Sequence, residues 1–200
     1  KLYDDALDNF KESYQCDDEL KDTLGVIFNL RDIATIHRRL DELDSTMLYF
    51  GKARALSVEY NDSEMTNLIT SQMASLNIRL GNSELAKEQI LSSLINFDPS
   101  NAVSIYSIAA HAYYNLGMLD SAAYFYQKLI ECPNVQAQVT GNDYLARIAN
   151  TLGNTEEASK YISRYHVWND SLQTLQSAES LAQMNSLYNY QLREKENAQL

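Results

Sequence analysis

The sequence predicts an all-α chain, a solenoid of stacked helical hairpins ending in one long C-terminal helix. Three observations carry that prediction. Four six-residue segments align without gaps at near-regular intervals, small and large residues recur at fixed offsets around them, and proline is nearly absent. Only Pro99 and Pro133 occur in 200 residues. An interior proline removes a helix hydrogen bond and clashes with the preceding turn, so its scarcity suits long helices.

The aligned segments are Arg39-Leu40-Asp41-Glu42-Leu43-Asp44, Arg79-Leu80-Gly81-Asn82-Ser83-Glu84, Asn115-Leu116-Gly117-Met118-Leu119-Asp120 and Thr151-Leu152-Gly153-Asn154-Thr155-Glu156. Their turn residues, 41, 81, 117 and 153, are separated by 40, 36 and 36 residues. Counting back another 40 reaches Lys1, where the second half of a repeat begins. The chain therefore opens inside a repeat and is expected to be a segment of a longer protein. The expected organisation is a repeat array over 1–169: a half repeat at 1–16, then hairpins at about 18–60, 62–98, 101–133 and 135–169. A separate capping or stalk helix is expected over 170–200, opened by Asp170 or Ser171 as its cap.

Each recurring position has a physical reason. Gly81, Gly117 and Gly153 end a helix where the left-handed conformation costs glycine nothing. Asp41 stands at the first turn, and Asp tolerates that region better than most residues. Three residues later comes an acid (Asp4, Asp44, Glu84, Asp120, Glu156), placed where a helix dipole favours negative charge. Five residues past the turn stand Ala6, Thr46, Ala86, Ala122 and Ala158, small enough for close helix approach. Nine past it stand Phe10, Phe50, Ile90, Tyr126 and Ile162, expected to fill the space between hairpins. In the first helices Ala34, Ala74, Ala110 and Ala146 recur, behind Ile33, Met73, Ala109 and Leu145.

This pattern resembles the tetratricopeptide repeat, although that family's first-helix tryptophan is missing and the periods exceed its usual length. The resemblance covers about residues 1–169 and implies a right-handed superhelical solenoid that binds proteins. It also implies that the first helices line a concave groove for a protein or peptide ligand. Carried over residue by residue, the groove candidates are Arg31, Thr35 and Arg38; Ser71, Ser75, Ile78 and Arg79; Ser107, His111 and Tyr114; and Asp143, Arg147 and Asn150. Four arginines against one acid suit a peptide rich in carboxylates or exposed carbonyls. The competing reading pairs these arginines with neighbouring acids, Asp32 and those at 41–44 among them. The family's known peptide-clamp positions would here hold Arg31, Thr35, Gln72, Ser104 and Ile108, which does not match, so binding of a chaperone C-terminus is not expected.

The end of the chain carries Leu172, Leu175, Leu181, Met184 and Tyr188 at helical spacing, a stripe able to cover the last hairpin. Residues 191–200 are polar nearly all round, so this helix either caps the array or begins a coiled coil, with self-association through 181–200. The run from Ser180 to Lys195 resembles the end of the extracytoplasmic repeat region of Gram-negative membrane-anchored regulators. That resemblance implies a ligand- or peptide-sensing domain in signal transduction, periplasmic and anchored to the inner membrane. The alternative is a free adaptor or scaffold, cytoplasmic and without signalling output.

Composition bounds the chemistry. Sixteen Lys and Arg against 27 Asp and Glu give a net charge of −11, which disfavours nucleic acid or an anionic membrane as the partner of this segment. No apolar run is long enough to span a bilayer. Cys16 and Cys132 stand three repeats apart, so no disulfide is expected. No zinc spacing, phosphate loop or nucleophile elbow occurs, and His37, His111 and His166 lie far apart. The expectation is a binding protein, not an enzyme, with no cofactor and no metal. The tyrosines at 106, 113, 114, 124 and 126 read mainly as packing between helices, and Trp168 as packing where the final helix joins the array.

Overall fold

The computed structural model describes residues 2–95 and 99–197, with side chains over 3–95 and 99–190. The expected repeat ends at Lys1, 98 and Leu200 lie outside the described residues. Within them the chain is helical: α1 Leu2–Leu20, α2 Thr23–Arg39, α3 Leu43–Glu59, α4 Ser63–Arg79, α5 Ser83–Ser93, α6 Ala102–Asn115, α7 Leu119–Ile130, α8 Val135–Thr151 and α9 Thr155–Asn197. A single 3-10 turn, Pro99–Asn101, leads into α6. No strand occurs among the described residues.

The turns explain the hairpins. Six helix ends carry a residue with positive φ: Lys21 (58°), Asp41 (61°), Asn61 (61°), Gly81 (79°), Gly117 (72°) and Gly153 (77°). At each, the next amide donates back across the helix end, as Glu42 N–H does to the His37 carbonyl (2.9 Å) and Asn82 N–H to that of Asn77 (2.8 Å). This arrangement satisfies carbonyls that the helix leaves without partners. The first four turns fall every 20 residues. The next helix starts at once, with Asp22 capping the Gly25 amide at 3.1 Å and Asp62 capping that of Met65 at 2.9 Å.

The contacts divide the chain into two units, Lys1–Phe125 and Tyr126–Leu200. In the first, successive helices from α1 to α6 pack in sequence, and α4 also touches α6. One apolar cluster joins Ile27, Leu30, Ala34, Phe50, Ala53 and Ile69; another joins Ala74, Ala86, Ile90, Ile105, Ala109 and Ala112. Of the small residues expected on second helices, Thr46, Ala86, Ala122 and Ala158 expose at most 1%, and Ala6 is half-buried. Thr46 settles its hydroxyl by donating to the Glu42 carbonyl (2.9 Å). Phe50, Ile90 and Tyr126 are fully buried, as large groups between hairpins should be. Phe125 gathers Tyr113 (stacked, 5.5 Å between centroids) and Tyr124 (edge-on, 5.1 Å) around it.

In the second unit α8 packs on α9, and Tyr126 stacks on Tyr144 at 4.8 Å. Gly141 permits this closeness: a Cβ there would strike the Ile130 side chain and stand 3.1 Å from the Tyr126 carbonyl oxygen.

Four expectations are corrected. No helix begins at Asp170 or Ser171, because α9 runs unbroken from Thr155 to Asn197. The Thr174 hydroxyl donates to the Asp170 carbonyl (2.9 Å), and Ser171 donates to Val167 (3.0 Å), as mid-helix hydroxyls do. The stripe at Leu175, Leu181, Met184 and Tyr188 covers no hairpin; these residues are 49% to 66% exposed. Ile162 is likewise exposed, at 40%. Trp168 is half-buried along the middle of this continuous helix, with no joint between two helices there.

Candidate functional site

The first-helix candidates of the first unit fall on α2, α4 and α6. On α2, Arg31, Thr35 and Arg38 share one face, with Phe28 one turn before them. The Arg31 guanidinium binds the Asp32 carboxylate (2.8 and 3.0 Å) and lies over the Phe28 ring at 5.1 Å. Thr35 turns its hydroxyl onto the Arg31 carbonyl (3.0 Å). Arg38 is half-buried, and its pKa is lowered first by that burial and then by the charges of Arg39 and Arg79.

The third arginine of this group comes from α4. Arg79 reaches across to Asp41 in the turn after α2, at 2.7 Å. Arg38 and Arg39 end α2 and Arg79 ends α4, near enough for their charges to lower the Arg38 pKa, and one carboxylate, Asp41 in the turn after α2, is bound to Arg79. His37 lies just inside this end. It is buried, stacked on Tyr49 at 5.2 Å, with Glu42 2.5 Å from its Nδ1.

The remaining candidates divide. Ser71 exposes 4% of its surface and donates to the Leu68 carbonyl (2.7 Å), so it offers a ligand nothing. Ser75 is half-buried, and Ile78 packs against the second apolar cluster. On α6, His111 and Ser107 are one pair, the imidazole Nδ1 standing 2.6 Å from the Ser107 carbonyl oxygen, and Tyr114 is half-buried beside them in sequence. In the second unit, Asp143 and Arg147 bind each other with two contacts (2.9 and 3.1 Å), Arg147 lies over the Tyr144 ring, and Asn150 is exposed.

Both readings of the arginines are therefore visible. Arg31, Arg79 and Arg147 each have a carboxylate, two of them the neighbours expected from the sequence, Asp32 and Asp41. Sequence reasoning missed Arg39, although it adjoins Arg38, and Phe28, whose signal is its three-residue offset from Arg31 on a helix.

Among the described residues, no group of three or more His, Cys, Asp or Glu side chains converges as a metal would require. Cys16 and Cys132 are free thiols. No described helix is long and apolar enough to cross a membrane.

Neither a family model nor a curated protein matches the sequence. Among solved structures, BtubC (BKLC) from P. vanneervenii matches with a TM-score of 0.77 at 15% identity, over 86% of this chain and 75% of that one. MamA matches at 0.67 and 13% identity, over 86% and 91%. A MamA from Desulfovibrio magneticus RS-1, from residue 41 to its end, matches at 0.61 and 10% identity, over 82% and 96%. Such identities speak for architecture alone, and that architecture is the tetratricopeptide-like helical solenoid.

Proposed function

We propose that this chain is a protein-binding scaffold whose α2–α4 surface holds an extended, acidic peptide segment. The observation that carries this reading is the cluster of Arg38, Arg39 and Arg79 in a chain of charge −11. Each arginine presents a planar fork that matches a carboxylate. Arg79 is already oriented by Asp41, so a second carboxylate meets a prepared donor at little ordering cost. Phe28, stacked under Arg31, adds an exposed aromatic anchor on the same face of α2.

The scaffold reading takes precedence over a sensor in a membrane-anchored regulator. The arginine surface accounts for binding without any second conformational state, and a sensor requires two states of different ligand affinity.

The test is selection of binders from a random-peptide display library on the intact chain. The expected result is enrichment of sequences rich in Asp and Glu, lost for Arg38→Glu and weakened by salt. Selection of the same peptides by wild type and Arg38→Glu contradicts the proposal.

A further inference from the structure

We propose that two copies of this chain pair through the exposed segment of α9, along Leu181, Met184 and Tyr188. This inference stands apart from the peptide surface. It begins with a change of face along the helix. Through Leu172, most of the buried and half-buried residues of α9 (Ala158, Tyr161, Tyr165, Trp168, Asn169 and Leu172) lie on one side, with half-buried Ser171 off it, and this part of the helix packs on α8. From Gln173 to Tyr190 every residue is exposed. At about 100° per residue, Leu181, Met184 and Tyr188 form a second stripe roughly 120–180° round from the first, on whose side exposed Leu187 and Tyr190 continue. They are 58%, 64% and 66% exposed, and no described helix lies over them.

An isolated helix with this composition has little to hold it in water. The exposed stretch is about 27 Å long by helical rise. It contains a single charged side chain, Glu179, so ion pairs one turn apart do not support it. Such a helix gains stability when its apolar stripe is covered.

The occupant follows from charge and spacing. Two chains of charge −11 repel each other over most of their surface. This stretch is the place where like copies approach with little repulsion. Glu179 lies about 140–200° round the helix from the three seam residues, clear of the contact. The offsets of three and four residues between Leu181, Met184 and Tyr188 are those by which one helix sets its side chains between those of an equal partner. Covering this short seam removes on the order of 400 Å² from each copy, the range of weak, reversible interfaces. The pairing is therefore weak and reversible, strengthened wherever chains are held close together.

Sedimentation equilibrium of the 200-residue chain, from about 5 to 500 µM, tests this. The expected result is a rise from monomer to dimer mass across that range for wild type. Met184→Glu puts two like charges in the seam and stays monomeric throughout. Gln183→Glu adds the same charge on another face and still dimerises. Both substitutions fall on exposed helix, so folding is preserved and is checked by circular dichroism. A monomeric wild type at the highest concentration overturns the proposal, as does the same mass curve for all three proteins.

Discussion

Arg79, the last residue of α4, binds Asp41 in the turn between α2 and α3, at 2.7 Å across 38 residues of sequence. Asp41 thus does two things: it closes a hairpin at a φ of 61° and holds an arginine from the next repeat. The two roles have opposite signs for stability. A left-handed residue other than glycine costs about 1–2 kcal/mol, whereas an exposed pair contributes about 0–1 kcal/mol. Asp41→Gly is therefore expected to hold or raise stability by up to about 1 kcal/mol while loosening Arg79. Asp41→Ala loses both features and is expected to be destabilising by about 1 kcal/mol in urea denaturation.

Lys21 gives a cleaner version of the same test. Its φ is 58°, and no ion pair among the described residues involves it. Lys21→Gly is expected to raise stability by roughly 0.5–1 kcal/mol, read as a higher urea midpoint at unchanged slope. A fall in the midpoint contradicts the account of the turns.

Gly141 reverses the usual sign of a helix substitution. Replacing a helical glycine by alanine normally stabilises by about 1 kcal/mol. Here the new Cβ meets Ile130 and the Tyr126 carbonyl oxygen, so Gly141→Ala is expected to cost about 1–3 kcal/mol. Adding Ile130→Ala relieves part of the clash, and the double variant recovers part of the loss. Additive losses in a double-mutant cycle contradict the close approach.

Cys132 supplies a pH dependence. Burial, then the Glu131 carboxylate, pushes its thiol above the ordinary cysteine range, and its Sγ–H donates to the Lys128 carbonyl (3.6 Å). The thiolate is the reactive form, so alkylation at Cys132 is expected to accelerate only at higher pH than for a free thiol such as glutathione. Glu131→Gln moves that rise toward lower pH. Mass spectrometry of iodoacetamide-treated protein across pH checks both. A rate profile matching free thiol contradicts the assignment.

Much of the architecture was legible in residues whose side chains have only one good reason to recur. The turns at 41, 81, 117 and 153 announce themselves through a leucine followed by a residue suited to positive φ, and all four are where the spacing places them. The intervening turns at Lys21 and Asn61 were not, because no glycine marks them; their signal is a capping Asp, Asp22 or Asp62, one residue on. The break expected at Asp170 and Ser171 misread two cap-forming residues that sit inside a helix. No glycine or proline follows Gly153, and that absence of breakers was the better guide to α9. The arginine cluster was half legible. Periodicity put Arg31 and Arg38 on one face and the acids at 41–44 among the expected partners, but only the folded chain shows that the arginine meeting Asp41 is Arg79, from the next repeat. Ser71 fell on the wrong side of the same periodicity by a fraction of a turn and is buried.

The most direct test of the central claim is the affinity of one display-selected acidic peptide, measured by fluorescence anisotropy on wild type and on single arginine variants. The account predicts a loss of about tenfold or more for Arg38→Ala and for Arg79→Ala, each removing a charged hydrogen bond. It predicts little change for Arg147→Ala, which stands on α8 and not on the α2–α4 surface. Equal affinity for wild type, Arg38→Ala and Arg79→Ala would contradict it.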